Sequence, residues 1–110
     1  MANKYINKAF DLSTTGATTI YTVPAETVAI VKTVQAYNDT ASAVTVTMSF
    51  TDASASTTYN IGYATSSTVQ QFSLLSDSLL VLEESDILKL TASVGNQVTG
   101  VASILEQDRT

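Results

Sequence analysis

Between Ala43 and Thr51 the chain alternates strictly, with Val44, Val46, Met48 and Phe50 in one set and Thr45, Thr47, Ser49 and Thr51 in the other. Successive side chains of a strand point to opposite faces, so this segment predicts a half-buried strand with a threonine-rich outer face. Thr57 to Thr65 repeats the period, with Tyr59, Ile61 and Tyr63 opposite Asn60, Gly62 and Ala64, and Asp52 to Ser56 is long enough to join the two as a hairpin. Gly62 marks a bulge or a close backbone approach. Read as an unbroken strand, the segment sets Tyr59 and Tyr63 on one shared face, the leading exposed patch.

Upstream, Ala17–Val23 and Thr27–Asn38 flank Pro24-Ala25-Glu26. Proline fixes φ and offers the sheet no donor, so a strand ends there. Thr27–Asn38 has apolar residues in both alternating sets, which places it centrally, with a bulge near Lys32 as one option. Downstream, the pattern predicts a strand over Thr68–Ser76, a break at Asp77-Ser78, a short apolar run over Leu79–Leu82, and an acidic turn at Glu83-Glu84-Ser85-Asp86. A strand over Ile87–Val94, a tight Gly95-Asn96 hairpin turn and a last strand over Val98–Glu106 complete the chain.

No window holds a helical period. About eight short strands at even spacing, joined by Thr, Ser, Asp, Gly and Pro turns, predict an all-β fold: a two-sheet antiparallel β-sandwich of jelly-roll kind. Residues 13–110 form the single sandwich domain. Residues 1–12, where Ile6, Phe10 and Leu12 are interspersed with Lys4 and Lys8, are either a strand of that domain or an assembly arm that adds to a neighbour's sheet edge.

Composition narrows the task of this fold more than its shape. A chain of 110 residues buries enough surface for a core without staples. With no Cys there are no disulfides and no thiolate chemistry, and the chain suits a reducing compartment. The net charge of −5, from 10 acidic and 5 basic residues, leaves no cationic stripe to neutralise phosphates, so nucleic acid is not an expected partner. The opening MANKYINKAF lacks the apolar core of a signal peptide, and no segment approaches the roughly 20 apolar residues that span a bilayer, so the expectation is a soluble protein without a membrane partner. Only 14% of residues are charged, and Thr and Ser dominate the outward positions, a neutral face suited to contact.

Catalytic inventory is thin. Glu83, Glu84 and Asp86 form the densest carboxylate cluster, but consecutive turn residues do not flank a cleft as a glycosidase pair does, and their spacing matches no EF-hand loop. A nucleophilic Ser has no His to serve as base, and Lys4, Lys8, Lys32 and Lys89 lie in no Ser-x-x-Lys signature. Asn38-Asp39-Thr40 fits a glycosylation acceptor but reads better as turn chemistry, and the four scattered glycines build no phosphate loop. The expectation is a protein that is not an enzyme and carries no cofactor or metal. Tyr5, Tyr21, Tyr37, Tyr59 and Tyr63 are the leading binding candidates, since a tyrosine combines an apolar ring with a polar tip.

Two stretches carry a family resemblance. TTIYTVPAETVAIVKTVQAYN at 18–38 is similar to the opening of small tailed-phage virion proteins, where a YTVPAG-like turn precedes a strand ending near Asn. LLVLEESDILKLTAS from Leu79, followed by VASILE, resembles the closing part of the same group, with its leucine-rich segment, acidic turn and small-residue strand. Glu26 and Ser85 depart from it, standing where those turns often carry Gly, which reaches positive φ freely while Glu or Ser does so at a cost. The resemblance implies a capsid cement or decoration protein on the virion surface, made in the host cytoplasm. Its implied partner is the major capsid protein, bound as a homo-oligomer with a trimer favoured, and the candidate assembly contacts are Ile6, Phe10, Tyr59 and Tyr63. Two alternatives stay open: a tail, fibre or baseplate module that binds a host glycan or supports a receptor-binding protein, and a lectin-like sandwich using Tyr59 and Tyr63, which the lack of Trp counts against.

Overall fold

The computed structural model describes residues 3–75 and 79–108. Within them the chain forms nine strands: β1 (Asn3–Leu12), β2 (Thr18–Thr22), β3 (Thr27–Asn38), β4 (Val44–Asp52), β5 (Thr57–Ser66), β6 (Gln70–Leu75), β7 (Leu80–Leu82), β8 (Ile87–Ala92) and β9 (Val98–Asp108). The break foreseen at Asp77-Ser78 lies outside the described residues. One sheet runs β1-β9-β3-β6 with β7 also on β3, and the other runs β2-β8-β4-β5. Because β6 and β7 share one position beside β3, the order is that of an eight-position jelly roll, and all pairings are antiparallel. The expected all-β sandwich is therefore the observed fold.

The inner faces meet in a core of Leu12, Val23, Val31, Val34, Val44, Val46, Leu82, Leu88, Leu90, Val98 and Ile104, each at most 2% exposed. β4 shows why its pattern was readable: Val44, Val46 and Met48 are buried, and Val46 and Met48 pair with Ala92 and Leu90 of β8 on the same inner face. β3 keeps Ala29, Val31, Val34 and Ala36 on the inner face despite an odd spacing, because the register with β9 skips Lys32 between Val31 and Thr33. The bulge expected near Lys32 is present.

Three further skips, at Ile20 in β2, Ile61 in β5 and Leu74 in β6, also change the face on which later residues fall. At Leu74 the consequence is that Phe72 pairs with Ala36 and Leu75 with Val34, so both share the core face rather than opposing each other.

The Gly95-Asn96 turn departs from expectation more sharply. It makes no hairpin: β8 pairs with β2 and β4, while β9 pairs with β1 and β3, so the connection crosses from one sheet to the other. The reason lies outside the turn itself. Asn96 donates its backbone N–H to the Leu12 carbonyl at 3.0 Å, and a Cβ on Gly95 would lie 2.7 Å from the Ser13 carbonyl oxygen, so the turn is folded down onto the β1–β2 connection. Beneath it, buried Asn38 donates to the Ser42 carbonyl at 3.0 Å and accepts from the Thr40 N–H at 3.1 Å, while Gln97 donates to the Ser42 carbonyl at 2.7 Å. The Asn38-Asp39-Thr40 sequence is thus a turn anchored by the buried, fully paired Asn38 side chain, with Asp39 left exposed.

Candidate assembly surface

The acidic turn resolves first, because it was the densest ionisable cluster. Asp86 is buried and its two carboxylate oxygens accept the backbone N–H groups of Ala53 at 3.0 Å and Glu83 at 2.9 Å, tying the β4–β5 and β7–β8 connections together. Ser85 donates its N–H to the Val23 carbonyl at 3.1 Å and Val23 donates to the Asp86 carbonyl at 3.0 Å, which adds the β2–β3 turn. Glu83 and Glu84 stay exposed. No group of three metal-ligating side chains assembles among the described residues. The turn is a connector at one end of the sandwich, where Glu26 and Asp52 also lie, whereas the connections at the other end are Ser- and Thr-rich.

Both departures from the resemblance occupy the left-handed region, Glu26 at φ 56° and Ser85 at φ 70°. These turns therefore have the backbone geometry that Gly would adopt at no steric cost.

The four candidate contacts do not form one surface. β1 pairs with β9 along its whole length, from Asn3 with Gln107 to Leu12 with Val98. Phe10 is 8% exposed and belongs to the core, against Gly100, so it is corrected from surface contact to core residue. Ile6 lies on the same face of β1, opposite Ile104, half-buried and packed on the core. Tyr59 and Tyr63 are also separated. Tyr59 pairs with Phe50 on the inner face, ring centroids 5.7 Å apart, whereas Tyr63 pairs with Thr47 on the outer face and is 75% exposed. The extra residue at Ile61 inverts the alternation between them; Gly62 beside it was the available signal.

What the fold assembles instead is an apolar row straight across the outer face of the β1-β9-β3-β7 sheet. Val81 pairs with Ile30, Ile30 with Leu105, and Leu105 with Tyr5, so four strands contribute neighbouring side chains to one line about 14 Å wide. Val81 is 58% exposed, and Leu79, two residues before it, is 61% exposed. At the far end the Lys32 ammonium sits 5.9 Å from the centroid of the Tyr5 ring, a cation–π contact. Sequence reading missed this row, since its members come from four distant segments; the only local signal was the apolar residues of β3 in both alternating sets.

On the other sheet the outer face is hydroxyl-rich, with Lys89 of β8 set between Thr19 and Ser49. Thr45 and Thr65 hydroxyls lie 3.0 Å apart, and Thr51 and Thr58 hydroxyls 2.7 Å apart, as cross-strand pairs of β4 and β5. Between the sheets, the Tyr21 hydroxyl donates to Glu106 at 2.5 Å, with the Lys4 ammonium 3.9 Å from the other carboxylate oxygen. Burial, then the hydrogen bond and charge of Glu106, push the Tyr21 hydroxyl well above its ordinary value of 10.0, so it is a neutral donor at physiological pH.

The fold is shared with proteins of very different sequence. The Eiger TNF of S. frugiperda is similar over 96% of this chain and 94% of its own, at 11% identity and a TM-score of 0.53. A protein of the Bacillus endospore appendages, a family of disulfide-linked pili, is similar over 96% of this chain and 84% of its own, at 13% identity and a TM-score of 0.50. A pentameric capsid protein from metagenomic phage sequences covers 91% of this chain and 66% of its own, at 19% identity and a TM-score of 0.49. These are likenesses of fold alone. No protein-family model and no curated protein sequence matches the chain.

Proposed function

We propose that the chain is a structural protein of a tailed-phage virion, a capsid cement or decoration protein that binds between major capsid subunits and stiffens the shell. The observation that carries the reading is the apolar row Val81–Ile30–Leu105–Tyr5, which leaves one outer sheet face with a surface suited to burial against protein. The sequence resemblance at 18–38 and 79–106 supports the virion setting, and the left-handed backbone at Glu26 and Ser85 supports the likeness of the two turns. The chain acts without catalysis in this reading.

Copies associate as a closed homo-oligomer, a trimer, each burying its row against a neighbour. Several such contacts per assembly then hold the shell at high effective concentration, so no single interface needs to be large. The test has two parts. Native mass spectrometry of the purified chain is expected to show a trimer that Val81→Glu reduces to monomer, while thermal unfolding stays cooperative; a monomeric parent chain overturns the oligomer. Mass analysis and imaging of the purified particle are expected to place hundreds of copies on the head, and a few copies at the tail would transfer the protein to the tail or baseplate class.

A further inference from the structure

The outer face of the same sheet carries a second feature, at the opposite half from the apolar row. A groove of about 300 Å³ lies over β9, β3 and β6, lined by Gln35, Ala36, Tyr37, Gln71, Gly100 and Val101. Register explains its walls: Tyr37 pairs with Gln71 and with Thr99, and Gln35 pairs with Val101, so Tyr37, Gln71 and Gln35 stand on one face. Tyr37 is 42% exposed, and no charged residue lines the groove.

The two amides are fixed to each other. Gln71 Nε2 donates to Gln35 Oε1 at 3.1 Å, which leaves the Gln35 amide N–H₂ as a donor and the Gln71 amide oxygen as an acceptor, neither engaged by another described residue. A held donor beside a held acceptor matches the vicinal hydroxyls of a sugar, each of which both donates and accepts. An exposed tyrosine ring matches the C–H face of a pyranose, and the absence of lining charge selects against carboxylated or sulfated rings.

We propose that this groove binds a neutral saccharide, with Tyr37 as the stacking wall and the Gln35–Gln71 amide pair as the hydroxyl reader. The site replaces the Tyr59 and Tyr63 platform, which the Ile61 bulge splits between two faces. The inference does not depend on the virion reading, because the groove lies outside the apolar row.

Saturation-transfer NMR on the full chain tests it, with methyl glucoside, methyl galactoside and N-acetylglucosamine as probes and sialyllactose as the charged control. A single sugar ring in so open a site is expected to bind with a dissociation constant on the order of 1 mM. Transfer is expected from at least one neutral probe, to be lost in Tyr37→Ala, kept in Tyr37→Phe, and weakened about tenfold in Gln71→Ala. Tyr37→Phe also guards against misfolding, since it preserves the ring on an exposed position. Silence from all three neutral probes overturns the proposal, as does transfer that Tyr37→Ala leaves unchanged. Oligomeric mass, measured on the same samples, reads the assembly proposal separately.

Discussion

Replacing Gly100 by Ala probes the tightest point of the fold. Gly100 lies on the inner face of β9, paired with Phe10 of β1 on one side and Ala36 of β3 on the other. A Cβ there would lie 2.5 Å from Phe10 Cζ and 3.0 Å from Ala36 Cα, and closer still to the Gln35 carbonyl oxygen. The ring can turn aside, but the carbonyl oxygen cannot retreat without parting β3 from β9. Overpacking of a core costs about 1–3 kcal/mol, and a backbone neighbour puts this case at the upper end. Alanine is better than glycine in a strand by roughly 0.5–1 kcal/mol, so the net loss is about 2 kcal/mol. With a urea dependence of about 1.5 kcal/mol per molar, the unfolding midpoint falls by about 1.3 M, at an unchanged slope. The chain has no Trp, so tyrosine fluorescence or far-ultraviolet circular dichroism is the readout. Phe10→Ala is expected to cost about 3–5 kcal/mol by leaving a cavity, and the double variant about 1 kcal/mol less than the sum, because the ring contact is then gone. A Gly100→Ala midpoint indistinguishable from that of the parent chain would refute the packing argument, and a neutral Phe10→Ala would return Phe10 to the surface.

Two further outcomes follow from the backbone and from Tyr21. Glu26→Gly and Ser85→Gly each relieve a left-handed backbone that costs a non-glycine residue about 1–2 kcal/mol, against the extra unfolded-state freedom of glycine; each is expected to raise stability by about 0.5–1 kcal/mol in the same urea assay, and a loss in both would refute the strain. Tyr21 keeps its proton in the folded state at a pH where the unfolded chain gives it up, so its contribution is complete below pH 10.0 and declines as the pH rises beyond that. Urea titrations from pH 8 to 11 are expected to show a steeper alkaline decline in the parent chain than in Tyr21→Phe, and equal slopes would contradict the assignment.

Much of the architecture was legible because burial on one face writes itself into the sequence. Val44, Val46 and Met48 had to alternate with threonines, and Pro24 had to end a strand. The acidic turn was legible as a connector for a similar reason: three carboxylates so close in sequence, with no partner types elsewhere in the chain, have little chemistry to do. Its internal design was hidden, because the groups that Asp86 accepts include the N–H of Ala53, 33 residues away. The candidate contacts fared worse. Phe10 was a candidate assembly contact on a segment open to either a strand or an arm, but its place against Gly100 depends on β1 finding β9, at the other end of the chain.

The amino-acid order by itself determined an all-β sandwich, most of its strands and the two turns that carry the family resemblance, while it left residues 1–12 open between a strand and an arm. Tertiary structure alone decided which sheet each strand joins, that Gly95-Asn96 crosses between sheets, and which side chains share a face. The reason is physical. Alternation is a local property of an extended backbone, whereas a single inserted residue at Lys32 or Ile61 inverts every face beyond it, and only pairing with a partner strand reveals the insertion. The apolar row and the Tyr37 groove are products of that pairing, each built from strands that the chain order keeps apart.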